Sequence, residues 1–339
     1  MSESRHDGPP VSVVVPSYNH GRFLDACVGS VLGSDHDLEL VVVDDGSQDD
    51  SVERLRAIDD PRLRLFVQEN RGAHAALGRG LELSRGEVVF LLNSDDRFAA
   101  DRIPKLVTAL EDPSVVVATS WLEVIDGTGR RLGVKEAWRT LPPWPAPRSG
   151  PRLADLDDPR LALLETNFVS TTSNMAFRRR LLDAPGVGFA PLRYTHDWEF
   201  LLATARRGRV AVVPEPLVSY RVHGANTISE EGDGGSAGEQ GPGAMRFEIL
   251  WTVARHALPL LQQVAGEGKH PLDDLVARAW RSLPRFPTQG GGKPLDQDTL
   301  LAQLLAWRGE APEPPPSFEN LLEPGHPFRR AAVDRLDTL

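Results

Sequence analysis

The chain has 339 residues, 40% of them hydrophobic and 25% charged, as in soluble globular proteins. Its formal net charge of −10 argues against general nucleic-acid binding, which relies on neutralising phosphates, and disfavours tight adhesion to an anionic membrane surface. No stretch approaches the roughly 18–20 apolar residues that span a bilayer, and the opening MSESRHDGPP lacks the apolar core of a signal peptide, so a cytoplasmic protein is expected.

Residues 11–15, VSVVV, are a β-branched run that predicts a buried strand, ended by Pro16. Leu24, Cys27, Val28, Val31 and Leu32 then recur at helical spacing. Cys27 is the only cysteine, which excludes an internal disulfide and a cysteine-based zinc site; among these neighbours it reads as a small buried apolar residue. LELVVVDD predicts a second buried strand that ends in Asp44 and Asp45. GSQDDSVERLRAI follows as a helix capped by Ser47, with Val52, Leu55 and Ile58 on one face. Leu63, Leu65 and Val67 alternate as a third strand, and Ala73, Ala76, Leu77, Gly80 and Leu81 mark a third helix. EVVFLLNSDD is a fourth strand, again ending in carboxylates, and Ile103, Leu106, Val107 and Leu110 mark a fourth helix. This alternation implies an α/β fold with a mostly parallel sheet covered by helices on both faces. Such sheets bind ligands beyond the carboxyl ends of their strands, where Asp44, Asp45, Asp95 and Asp96 all fall.

Beyond residue 120 the alternation weakens. Residues 139–151, rich in proline and arginine, read as a loop over the site. Residues 196–206 read as a helix, and VAVVPEPLVSYRVH as a strand pair broken by Pro214 and Pro216. The glycine-rich stretch 230–243 reads as mobile. Residues 245–265 predict a helix with Phe247, Leu250, Trp251, Ala254 and Leu258 on one stripe, and the tail to Leu339 mixes short helical patterns with PEPPP and GGGK breaks.

Carboxylates crowded at strand ends are costly unless something positive lies among them. Magnesium or manganese fills that role, taking oxygen ligands and sharing its shell with substrate phosphates. LLNSDDRF offers Asn93, Asp95 and Asp96 just past a buried strand, although an isolated Asp-Asp pair serves equally as a helix cap or a solvated turn. The arrangement across the chain is more specific. VSVVVPSYNHGRFLDACVGSVL, ELVVVDDGSQDDS and ENRGAHAALGRGLELSRGEVVFLLNSDD, then SNMAFRR, YTHDWEFLLATARRG and VSYRVHGANTIS, resemble the family 2 glycosyltransferases in order and spacing. The resemblance covers roughly residues 10–229.

It implies the GT-A fold, a Rossmann-like sheet flanked by helices; the periodicity beyond it adds a mainly helical C-terminal extension. The expected domains are a disordered N-terminus at 1–10, the catalytic domain at 11–229 that the resemblance covers, and, from composition and periodicity, a flexible linker at 230–244 and a helical region at 245–339 that carries no family motif. Within the catalytic domain, 11–120 would bind the nucleotide and 121–229 the acceptor. Pro16, Ser17 and Tyr18 should line the nucleotide pocket; Asp45 should accept a hydrogen bond from the base, with Asp44 near base or ribose. Both aspartates could instead cap the following helix. Arg71 belongs to a segment near the nucleotide, and its alternative is an ordinary surface arginine. Asp96 is the first choice for the carboxylate on the metal, with Asp95 beside it towards the ribose. The commonest family pattern has an aspartate where this chain has Asn93, so that position brings no charge to a cation. His223 would ligate the metal or touch the diphosphate, with a structural role as the alternative, and Arg221 is a comparable phosphate contact. Asp197 matches the family's catalytic base; its alternative is a carboxylate facing a helix dipole. Trp198 is either core or an acceptor platform, and Glu199 lies near the acceptor or on a helix surface.

The implied reaction is an inverting, Mn2+- or Mg2+-dependent transfer from a nucleotide-sugar donor to a glycan, lipid-linked glycan or other hydroxyl acceptor in surface polysaccharide or glycoconjugate synthesis. UDP is the expected carrier, with dTDP and GDP open. Peripheral association with the inner membrane face and a homo-oligomer are compatible with the resemblance. The competing readings are glycosylation of a peptide or natural product, and a non-catalytic nucleotide-sugar-binding protein.

Overall fold

A computed structural model describes residues 9–139, 152–224 and 242–282. The segment 140–151, most of the glycine-rich stretch and the tail from 283 lie outside the described residues. The chain forms two compact units, each assembled from separate stretches. Among the described residues the first takes 9–139, 168–190 and 203–223, and the second takes 152–167, 191–202, Gly224 and 242–282.

The first unit holds the whole sheet. Its elements are β1 (Val11–Ser17), α1 (Gly21–Leu32), β2 (Leu38–Asp44), α2 (Ser51–Arg56), β3 (Leu63–Val67), α3 (Ala73–Leu83), β4 (Val88–Leu91), β5 (Arg97–Phe98), α4 (Arg102–Ala109), β6 (Val115–Asp126), β7 (Arg131–Lys135), β8 (Ala176–Arg178) and β9 (Arg209–Val222). The strand order is β3-β2-β1-β4-β8-β6-β9-β5, with β7 paired to β6. Strands β1 to β4 are wholly parallel among themselves, and β1, β2 and β4 carry the buried apolar runs that go with such a sheet. Antiparallel pairings enter with β5, β7 and β8, and β6 runs parallel to β9. Val13, Val15, Leu40, Val42 and Phe90 are fully buried at the centre of the core, with Leu24, Cys27 and Val31 of α1 packed in the same cluster. Helix α3 lies against β1 and β2. Gly80 allows that approach, since a Cβ there would come within 2.3 Å of Val14 Cγ1.

Two sequence expectations change. Ser47 does not cap α2: its hydroxyl donates to Asp44 Oδ2 at 2.6 Å, and Asp50 precedes the helix instead. Ser47 Oγ accepts instead from Asn19 N at 2.9 Å, and the helix begins only at Ser51. The segment expected as a broken strand pair is one strand, β9. Its prolines fall where the β6 register skips, from Ser120 opposite Val213 to Trp121 opposite Pro216 and Leu122 opposite Val218. A proline has no N–H to give a ladder, and a bulge is where a ladder asks for none.

The second unit is helical: α5 (Pro159–Glu165), the first part of α6 (His196–Ala205), α7 (Pro242–Gly266) and α8 (Leu272–Ser282). Asp158 caps α5 by accepting from Arg160 N at 2.9 Å, with Pro159 in the first turn. On α7, Phe247, Leu250, Trp251 and Ala254 are buried, Leu258 is half-buried, and Leu260, Leu261 and Val264 continue the apolar face. Among the described residues no helix is long and apolar enough to cross a membrane.

Candidate active site

In the first unit, the chain leaves β1 for β2 on one side and returns at β4 on the other. That reversal is the switch point at which open α/β sheets bind ligands. His20, Asp95 and His223, from the loops after β1, β4 and β9, converge there. One ligand atom from each lies within 4.8 Å of the others. His223 Nε2 is 3.2 Å from Asp95 Oδ2, and the two imidazoles meet edge to face at 5.8 Å. His20 Nδ1 is 2.8 Å from Ser94 Oγ, which leaves Nε2 as its other ring nitrogen. Burial holds His20 below the ordinary imidazole pKa; Asp95 opposes this, and His223 and Arg22 add to it. A neutral imidazole offers the lone pair that a metal needs. Two imidazole nitrogens and one carboxylate oxygen fit a divalent cation, and suit manganese better than magnesium, which prefers oxygen throughout.

Arg221 braces this loop. Its Nε donates to the Asp95 carbonyl at 2.8 Å and its Nη1 to the Asp126 carbonyl at 3.1 Å. The guanidinium lies 4.7 Å over the Phe23 ring, and that ring is 5.0 Å from His223.

Asp96 has different partners. It is 1% exposed; Oδ1 accepts from Arg221 N at 2.8 Å, and Oδ2 accepts from Ser173 Oγ at 2.6 Å and Thr171 Oγ1 at 3.2 Å. Burial, and next the charge of Asp95, push its carboxyl well above the usual range. The geometry thus brings Asp95, rather than Asp96, to the histidines. Asn93 is tied into the same hydroxyl pair, its backbone N donating to Ser173 Oγ at 2.9 Å and its Nδ2 to Thr171 Oγ1 at 3.1 Å. The amide supplies a donor where an aspartate would add a third negative charge.

The neighbouring aspartates organise the two loops beside them. Asp44 is fully buried and accepts from Ser47 N at 2.8 Å, Ser47 Oγ at 2.6 Å and Ser17 Oγ at 3.2 Å. Asp45 is 3% exposed and accepts from Gln68 Nε2 at 2.7 Å, Arg71 N at 3.0 Å and Gly72 N at 2.8 Å. Gly72 takes φ of +88° at the start of α3, a conformation that favours glycine. Ser17 is buried, Pro16 half-buried, and Tyr18 and the Arg71 side chain are exposed at the rim of these loops.

The second unit carries Asp197, the second residue of α6 and buried. Its Oδ1 accepts from Trp198 N at 2.7 Å and its Oδ2 from Asn167 Nδ2 at 3.0 Å. Trp198 is a core residue, buried with its Nε1 donating to the Leu163 carbonyl at 2.7 Å. Glu199 is also inside, 3.2 Å from His256 Nε2 and 3.4 Å from Arg255 Nη1. It is not a helix-surface residue.

Sequence reasoning missed His20, Thr171 and Ser173. His20 carried a usable signal, since it follows the end of a predicted buried strand as the carboxylates do. The hydroxyls of STTSN carried none.

The profile described as Glycosyl transferase family 2 matches residues 12–184. The chain is 30% identical over 224 residues to the uncharacterized glycosyltransferase alr2836 of Nostoc sp., covering 64% of this chain and 66% of that protein. It is 31% identical over 221 residues to the succinoglycan biosynthesis protein ExoO of Rhizobium meliloti, covering 63% of this chain and 61% of that one. The chain therefore spans less than two thirds of the length of either relative. The structure of S. aureus TarS 1–349 in complex with UDP-GlcNAc superposes over 97% of this chain and 89% of that chain, with a TM-score of 0.55 at 16% identity. That likeness is one of fold, and it is the GT-A architecture expected from the sequence. Matched over just more than half of its length, the chain belongs to glycosyl transferase family 2.

Proposed function

We propose that this chain transfers a sugar, with inversion, from a nucleoside diphosphate-sugar to a hydroxyl acceptor. The observation that carries the reading is the convergence of His20, Asp95 and His223 at the switch point of the parallel strands. A divalent cation held there, manganese before magnesium on the donor set, would neutralise charge on the departing diphosphate. Asp45 spends three of its roughly four lone-pair sites on internal donors, so one remains for a base N–H such as that of uracil. Tyr18, 43% exposed, is available to line the base. Asp197 is the proposed general base, removing the acceptor's proton as the glycosidic bond forms. Each of its oxygens accepts one of these hydrogen bonds and retains capacity for an acceptor hydroxyl. UDP is the first choice of carrier because a UDP-sugar is accommodated by the same fold in TarS. The name of ExoO supports an acceptor in polysaccharide synthesis, a glycan or lipid-linked glycan.

The test is thermal unfolding with UDP, GDP or dTDP, in manganese or in excess chelator. A nucleotide at about 100 times its Kd adds about 2.7 kcal/mol of stability, which moves Tm by several degrees. UDP with manganese should give that shift, and UDP in chelator should give much less. An equal shift in chelator would overturn the cation site, and no shift with any nucleotide would overturn the donor reading.

A further inference from the structure

We infer that Glu248, on α7, is a positioning residue for Asp197; the inference rests on the proposed role of Asp197 as the base. Glu248 is 2% exposed, and a carboxylate so buried persists only when its oxygens are satisfied. Its Oε1 accepts from Arg193 N at 3.0 Å. Its Oε2 accepts from Tyr194 N at 2.7 Å and Thr195 N at 3.2 Å. Three successive backbone amides thus point at one side chain, immediately before α6 begins at His196. Thr195, whose carbonyl accepts from Glu199 N at 2.8 Å, opens α6, so the chain is gripped at and just before the helix start by an anion from another helix.

The grip continues along α7 at helical spacing. Thr252 Oγ1 is 2.9 Å from Thr195 Oγ1, and His256 Nε2 is 3.2 Å from Glu199 Oε1. Residues 248, 252 and 256 share one face of α7, four residues apart, and their partners span 193–199. In sequence Asp197 lies midway between Thr195, just before α6, and Glu199 within it. All of these residues belong to the second unit. A stripe of buried polar groups is an expensive way to pack a helix, since apolar residues of similar volume usually stabilise more. What it provides is direction: the first turn of α6 can dock in one rotation and one height only. Asn167 holds Asp197 Oδ2 from the other side. A misplacement of about 1 Å at a reacting group costs on the order of 100-fold in rate.

The experiment uses the full chain and three single variants, Glu248→Gln, Asp197→Asn and the control Glu267→Gln, plus the double variant of the first two. Glu267 pairs with Arg160 just after α7 and touches none of residues 193–199 in the contacts above. Amide hydrogen exchange is followed over 191–199. Nucleoside diphosphate release is measured from a pool of UDP-glucose, UDP-N-acetylglucosamine, GDP-mannose and dTDP-rhamnose. Glu248→Gln should speed exchange at 193–195 by roughly ten-fold or more, the loss of about one net hydrogen bond per site. It should lower kcat by roughly 10–100-fold with KM for the donor within about three-fold. Glu267→Gln should change neither. In the Asp197→Asn background, Glu248→Gln should cost no further turnover, because a residue acting through Asp197 has nothing left to position. If Glu248→Gln unfolds the chain, Thr252→Val, which deletes only the Thr195 link, must still lower kcat at unchanged donor affinity. Unchanged exchange at 193–195, or losses that multiply in the double variant, overturns the inference. If Asp197→Asn alone keeps wild-type turnover, the base reading falls and takes this inference with it. If Asp197→Asn abolishes turnover while Glu248→Gln leaves kcat intact, the inference alone falls.

Discussion

Exchanging either of two adjacent carboxylates for its amide should give opposite results. Asp95 is 3.2 Å from His223 and shares a 4.8 Å cluster with His20, whereas Asp96 is held by Arg221 N, Ser173 and Thr171. Loss of a partner that merely orients a metal ligand costs about 10–100-fold in metal affinity. Loss of a charged ligand exceeds that, so Asp95→Asn should weaken manganese by at least about 100-fold, or roughly 2.7 kcal/mol. Asp96→Asn keeps an oxygen for Arg221 N, and the Ser173 hydroxyl can rotate to accept from the new amide, while the Thr171 bond is lost because Thr171 Oγ1 already accepts from Asn93 Nδ2 and Ser173 N. Burial and Asp95 already press the Asp96 carboxyl towards its neutral form, so a neutral isostere fits its surroundings. Manganese affinity should stay within about five-fold and stability within about 1 kcal/mol, the net worth of one typical hydrogen bond. Titration calorimetry of manganese into the UDP-saturated protein at pH 7 reads both, with circular dichroism as the folding control. Manganese binding that survives Asp95→Asn and vanishes in Asp96→Asn would refute the geometric argument and restore the assignment first drawn from the sequence.

Asp197→Asn is nearly isosteric but takes up no proton; turnover should fall on the order of 10²–10⁴-fold while the donor Kd stays within a few-fold by fluorescence titration. Asp45→Ala removes the acceptor of Gln68 Nε2 and of the Arg71 and Gly72 amides, all part-buried; at about 1 kcal/mol net per hydrogen bond it should lower unfolding stability in urea by roughly 2–4 kcal/mol, besides weakening donor binding. Lys135 is buried, with its amine donating to Ser170, and burial lowers its pKa from 10.5 to about 7. Between those values the unfolded chain binds more protons than the folded one, so this amine makes stability rise from about pH 7 to pH 10 and adds no slope below 7. The stability of the wild type relative to Lys135→Met should therefore rise across that window in urea titrations, and a flat difference would show that the amine is not desolvated.

Strands β1, β2 and β4 are legible in the sequence because each carries an apolar run closed by a polar turn, and β3 because Leu63, Leu65 and Val67 alternate. Strand β6 is not, because Thr119 and Ser120 interrupt its apolar pattern while being buried themselves. They are satisfied by partners far along the chain, Thr119 by the Ala211 carbonyl and Ser120 by Asn174. The site divides in the same way. That carboxylates gather beyond strand ends follows from local pattern alone. Which of two neighbours in SDD meets the histidines depends on β9 and on the hydroxyls of 171–173, and no local rule supplies those. Helical position leaves Trp198 open between core and acceptor platform, and Glu199 between acceptor and helix surface; α5 and α7 decide by enclosing both.

Between Ser120 and Leu122 strand β6 advances two residues while β9 advances from Val213 to Val218. The surplus around Pro214 and Pro216 acts as a phase shifter: it decides which residues of the second half of β9 face which way, and how far along the sheet they arrive. Side chains alternate on a strand, so removing a single residue from 214–216 would bring Gly224 to the place His223 now holds and swing Arg221 away from Phe23. A chain of this family with a kink one residue shorter would need its histidine moved by one to build the same triad. Residue-by-residue correspondence near the C-terminal end of this strand is therefore to be counted from the kink, not from the motif that precedes it.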